Sequence, residues 1–188
     1  MKICFVDNTK FQYDSESINS EKLRGAETVL INITKELNLL GNEITVINNC
    51  STSRMIENIN WVNINTIKSV DYFDTVIANG DCNLFKYAIS NNNILFSHSL
   101  QSLEKFIRKK QLLSYLKYKP KVCFLSQYHK KNRSKFLYFF GHINLRWAVD
   151  DIFLKTEVTN EIKKNQAIFI SRPDRNLELL LDIWKNNI

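Results

Sequence analysis

The N-terminal stretch leaves this chain little choice of fold. Lys2-Ile-Cys-Phe-Val-Asp7 and Glu43-Ile-Thr-Val-Ile47 are short, apolar, β-branched runs bounded by polar residues. Such runs read as buried strands. Between them Ala26, Val29, Leu30, Ile33, Leu37 and Leu40 recur at helical spacing, and Gly41 supplies the C-terminal stop. Strand, helix and strand in this order form a βαβ unit. It opens a parallel sheet with a ligand crevice at the strand ends.

The same alternation continues. A short helix over Arg54–Asn60 and a strand over Trp61–Ile64 are expected, then a strand over Tyr72–Ala78. Asn79-Gly80-Asp81 makes a turn and a helix cap before a helix over Cys82–Ser90. Asn93–Ser97 is the next strand, with His98 at its end. Leu100–Tyr118 reads as one long basic helix with Leu103, Phe106, Ile107, Leu112, Leu113 and Leu116 on its apolar face, ended by Pro120. A strand over Lys121–Leu125, a helix over Gln127–Phe139 and a strand over His142–Leu145 follow. The expected fold class is therefore α/β, a doubly wound parallel, Rossmann-like sheet flanked by helices. Residues 1–150 form this domain and 151–165 a polar connector. Residues 166–188 form a fresh strand–helix unit, with a strand over Gln166–Ile170 and a helix over Asn176–Trp184.

Composition excludes several classes. At 44% hydrophobic and 12% aromatic residues the chain is no disordered tail. No apolar run spans a bilayer and no leader pattern opens the chain, so a cytoplasmic protein is expected. Cys4, Cys50, Cys82 and Cys123 are scattered without a Cys-x-x-Cys pair, which fits buried free thiols rather than a metal or disulfide site. Charge is segregated. Lys105–Val149 holds 12 basic residues and no acid, whereas the rest of the chain holds 14 basic and 19 acidic residues. That region asks for an anionic partner.

The opening strand, the Gly25-Ala26-Glu27 helix start and Leu37-x-x-x-Gly41-x-Glu43-Ile-Thr-Val resemble the first unit of family 4 glycosyltransferases. That family has the GT-B fold of two Rossmann-like domains, and its members are retaining, nucleotide-sugar-dependent enzymes. Further segments are similar in the same order: the strand ending in Ser97-His98, Val122–Ser126 before a helix, Arg146–Asp150, and Ile168-Phe-Ile-Ser-Arg-Pro-Asp-Arg-Asn-Leu. Two departures stand out. Arg24 replaces the first of two usual glycines, and Trp147-Ala148 replaces an Asn-Gly turn.

The resemblance implies specific roles. His98 would stand at the donor sugar as the catalytic-site histidine. Arg172 and Arg175 would hold the donor diphosphate, since arginines can stabilise its growing charge without a metal or other cofactor. Arg24 and Gly25 would shape the loop at the first helix N-terminus, an anion-binding position. Bland readings stand beside each. Gly25 can serve the turn alone, Arg172 and Arg175 can be solvated, and His98 can bond nearby backbone. His129 and His142 lie in basic surroundings and carry little weight.

The implied partners are a nucleotide-sugar donor and a glycan or lipid-linked acceptor. Lys105, Arg108, Lys109 and Lys110, next to Phe106, Ile107, Leu112 and Leu113, form a face suited to the acceptor or to the inner, anionic face of a membrane. The family's Glu-x7-Glu donor pair has no counterpart before Ile188. A truncated transferase, inactive alone or completed across a homodimer, is therefore expected. A non-catalytic Rossmann-like nucleotide- or partner-binding module is the alternative. Nucleic acid is a weaker third reading, supported by charge alone and by no recognition motif.

Overall fold

The computed structural model describes residues 1–19, 23–145 and 177–187. The chain divides into two units, Met1–Ala148 and Val149–Ile188. Within the first, β1 (Lys2–Val6), α1 (Gly25–Leu39) and β2 (Glu43–Asn48) form the βαβ unit read from the sequence. Gly41, at φ +83°, closes α1 by donating to the Asn38 carbonyl at 2.9 Å. The buried face of α1 is rotated from the expected stripe. Glu27, Leu30, Ile31 and Thr34 are buried, whereas Leu40 lies past the helix end and is exposed.

The remaining strands are β3 (Arg54–Ile56), β4 (Ile59–Asn63), β5 (Thr75–Asn79), β6 (Asn93–Ser97), β7 (Lys121–Phe124) and β8 (His142–Asn144). They form one sheet in the order β3-β4-β2-β1-β5-β6-β7-β8. Every neighbouring pair is parallel except β3 with β4. The α/β class is thus observed, as a mostly parallel eight-stranded sheet flanked by helices that is compatible with a Rossmann-like fold. From β1 the chain builds outward through β2 and β4. It then returns to the other side of β1 for β5 and builds outward again. The switch point lies between the C-terminal ends of β1 and β5, where this topology opens a crevice.

Alternation along β1 fills both faces. Ile3 and Phe5 join Leu30, Ile31, Ile44, Val46 and Trp61, while Cys4 and Val6 join Val76, Ala78, Leu95, Phe106, Tyr115 and Phe124. Burial on both sides is why β1 lacks the apolar–polar alternation of a half-exposed strand. All four cysteines are buried and free.

Four expected elements differ. Arg54–Asn60 is not a helix. β3 turns into antiparallel β4 through Glu57 and Asn58, at φ +51° and +60°. Two left-handed residues match the twist of a tight hairpin, and asparagine tolerates that conformation. Cys82–Tyr87 is a short 3-10 helix instead of a helix running to Ser90, capped where the Asp81 carboxylate accepts from the Asn83 N–H at 2.8 Å. The long basic helix is two helices, α2 (Leu103–Arg108) and α3 (Leu112–Tyr118), with Lys110 at φ +53° between them. Phe106 and Tyr115 explain the break. In a continuous helix their spacing would put them on opposite sides; here both are fully buried with rings 5.5 Å apart. Finally, Gln127–Phe139 splits into α4 (Gln127–Asn132) and a 3-10 turn at Lys135–Tyr138. Arg133, at φ −79° and ψ 162°, is extended between them.

In the second unit, α5 (Leu177–Asn187) occupies the expected helical stretch and extends beyond Trp184. The connector, the strand over Gln166–Ile170, the Arg146–Asp150 turn, Arg172 and Arg175 lie outside the described residues. No helix among the described residues is long and apolar enough to cross a membrane.

Candidate functional site

The strand ends at the switch point collect polar residues that a strand core would otherwise exclude. Asp7 follows the last residue of β1 and Asn79 is the last residue of β5. Asp7 is buried, so its carboxylate needs partners. Asn79 Nδ2 donates to Asp7 Oδ1 at 2.9 Å, and the Tyr13 hydroxyl donates to Oδ2 at 2.7 Å. The Thr9 N–H also reaches Oδ2, at 3.3 Å. Burial, then the Asp7 charge, holds the Tyr13 phenol well above its ordinary range, so it keeps the proton it donates. Its ring meets buried Trp61 edge-on at 6.1 Å, which fixes the hydroxyl over Asp7.

His98 completes a relay. It follows β6, the next strand outward, and its Nε2 lies 2.6 Å from Asn79 Oδ1. An amide oxygen can only accept, so Nε2 carries the proton. The carboxylate of Asp7 thereby orients Asn79, and Asn79 orients the imidazole. Phe96 packs edge-on to the His98 ring at 4.7 Å. Burial lowers the His98 pKa from its ordinary value, and the nearby Asp7 charge opposes that shift. The fold therefore favours the neutral form of the imidazole.

The start of α1 forms another wall. Glu27, in its first turn, is buried and accepts from the Thr9 hydroxyl at 2.9 Å through Oε1. Its other oxygen, Oε2, is buried without a partner. A negative charge there is favoured by the helix N-terminus. Arg24 precedes the helix in extended backbone and makes no side-chain cap; its guanidinium lies over Phe11 at 5.2 Å. A Cβ on Gly25 would meet nothing within 4 Å. Neither crowding nor a positive φ demands glycine there, so the turn does not require it.

The basic residues from Lys105 to Lys110 do not share one role. Lys105 folds back, and its ammonium donates to the Ser99 hydroxyl at 2.7 Å, next to His98. Burial first, then Lys109 and Arg108, lowers its pKa. Arg108, Lys109 and Lys110 point to solvent. Around them Leu103, Ile107, Leu113 and Leu116, expected on a core face, are exposed.

The structure thus brings His98, Lys105 and the first turn of α1 to the strand ends, and it adds Asp7, Asn79, Tyr13, Thr9 and Glu27. Sequence reasoning missed these, although Asp7 and Asn79 each mark the polar end of an apolar strand on either side of the switch point. No cluster of metal-ligating residues occurs among the described residues. Chemically, the strand ends hold carboxylate and amide groups with an imidazole at one side. That suits a ligand rich in hydroxyl donors. Comparison with known proteins adds no relative: no family model matches the chain, and neither does any curated protein or solved structure.

Proposed function

We propose that this chain is a glycosyltransferase, or part of one, and that residues 1–148 form its acceptor-side domain. It would move a sugar from a nucleotide-sugar to a glycan or lipid-linked acceptor. The observation that carries this reading is the Asp7–Asn79–His98 relay at the switch point. In this reading the imidazole, held in one orientation, hydrogen-bonds a hydroxyl of the transferred sugar. Transfer joins the acceptor oxygen to the anomeric carbon, breaks the bond to the diphosphate, and passes the acceptor's proton to the departing diphosphate oxygen. Arg172 and Arg175 are proposed to neutralise the departing diphosphate. The exposed Leu103, Ile107, Leu113 and Leu116 beside Arg108, Lys109 and Lys110 support docking on an anionic membrane surface that carries a lipid-linked acceptor.

Calorimetric titration with UDP, GDP and their sugar conjugates tests the reading, followed by mass spectrometry for the transferred sugar. A sugar-nucleotide preference that disappears in Arg172→Ala/Arg175→Ala, with transfer at least ~100-fold slower in His98→Ala, is expected. No binding across the panel would sink the transferase reading for this chain. It would leave a binding module, which one feature favours: both Asp7 oxygens are already engaged within the protein, as in a rigid binding floor.

A further inference from the structure

Arg133 is a buried charge that the crevice does not use. The residue is 6% exposed. Its guanidinium carbon lies 4.4 Å from the Phe124 ring centroid and 3.2 Å from that of Tyr138. Nε and both Nη atoms are buried with no hydrogen-bond acceptor. The two ring faces attract the cation, but they leave its planar fork of N–H donors unmet. An unpaired buried charge is strongly disfavoured, and burial accordingly lowers this guanidinium's hold on its proton. Native structures rarely leave such donors empty without a role for them.

The surroundings are cationic as well. His142 meets the Tyr138 ring edge-on at 5.3 Å. Burial first, then the charges of Lys130 and Arg133, lowers the His142 pKa, so these groups feel one another. No acid occurs between Lys105 and Val149 in the sequence. Among the described residues, no carboxylate pairs with Arg133. The missing counter-charge must come from outside this segment.

We propose that Arg133, with Lys130 and His142 beside it, is a binding site for a phosphate-type dianion. The guanidinium fork matches two phosphate oxygens, the Lys130 charge favours a doubly charged group over a single carboxylate, and the His142 ring can add a hydrogen bond. Tyr138, itself 43% exposed, lies against the guanidinium, and in this proposal its ring swings outward to admit the ligand. A soluble phosphate ester and a lipid phosphate headgroup share this chemistry. The site rests on Arg133 alone and not on the transferase reading.

The test is the thermal midpoint of the full chain against inorganic phosphate, with sodium chloride holding ionic strength constant. A rise of roughly 5–10 °C is expected at a hundredfold excess over Kd. It disappears in Arg133→Met, which fills the slot between the rings without a charge and melts within a few degrees of wild type in phosphate-free buffer. Should that variant fail to fold, Arg133→Lys keeps the charge, loses the fork, and binds phosphate at least ~10-fold more weakly. A second arm uses phosphatidylcholine vesicles with and without phosphatidic acid. Binding to phosphatidic acid that Arg133→Met abolishes assigns the site to a headgroup. A phosphate response without vesicle binding assigns it to a soluble ester. Equal responses of wild type and the Arg133 variants, or no response in either arm, overturn the proposal.

Discussion

Tyr13→Phe isolates the bond that anchors the crevice. The substitution keeps the ring against Trp61 and removes only the hydroxyl that donates to Asp7 Oδ2 at 2.7 Å. A hydrogen bond to a buried charged group contributes about 1.5–3 kcal/mol. The lower half of that range is expected, because the Thr9 N–H still reaches the same oxygen at 3.3 Å. About 2 kcal/mol corresponds to a fall of about 1 M in the urea midpoint, for a slope near 2 kcal/mol per molar. The assay is urea unfolding followed by circular dichroism, repeated in an Asp7→Ala background. There the hydroxyl has lost its acceptor, and removing it is expected to be neutral or slightly stabilising. A cost below about 0.5 kcal/mol in the native background, or the same cost in both, would show that Tyr13 only packs and that Asp7 is not held by it.

Three further outcomes are expected. Burial lowers the His98 pKa, so the folded state favours the neutral ring. The stability this contributes is present above the unfolded value near pH 6.5 and falls as pH drops from there through the lower folded value. His98→Asn should flatten the urea midpoint between about pH 7.5 and 5 relative to wild type, with His142→Asn as the control because His142 shifts the same way. Lys119 ends α3 at φ +47°, ψ +48°, where a side chain is strained; Lys119→Gly is expected to raise stability by up to about 1 kcal/mol in the same unfolding assay. Charge reversal of Arg108, Lys109 and Lys110 to Glu should abolish sedimentation with anionic vesicles, since each basic residue near such a surface contributes about 1 kcal/mol. Undiminished sedimentation, or none by wild type, would refute the proposed membrane face.

Local pattern determined the parallel strands of this protein. β1, β2, β6 and β7 are buried on both sides and carry continuous apolar runs, and their order alternating with helices dictated a doubly wound sheet. His98 was legible for the same reason, as the polar residue that ends an apolar strand. Helix continuity was not legible. Leucines at helical spacing over Leu100–Tyr118 satisfy a single helix locally, yet Phe106 and Tyr115 reach one core only if the helix breaks between them. The same break leaves Leu103, Ile107, Leu113 and Leu116 on the surface. The crevice itself was decided by tertiary structure. Asp7, Asn79 and His98 are far apart along the chain, and only strand pairing brings β1, β5 and β6 side by side with their polar ends level. Arg133 makes the point most sharply. Its sequence neighbourhood is a solvated basic run, and only the rings of Phe124 and Tyr138, each packed on its guanidinium, turn one of those charges inward. Periodicity records which residues prefer to leave water. It carries no record of which distant partners will meet them there.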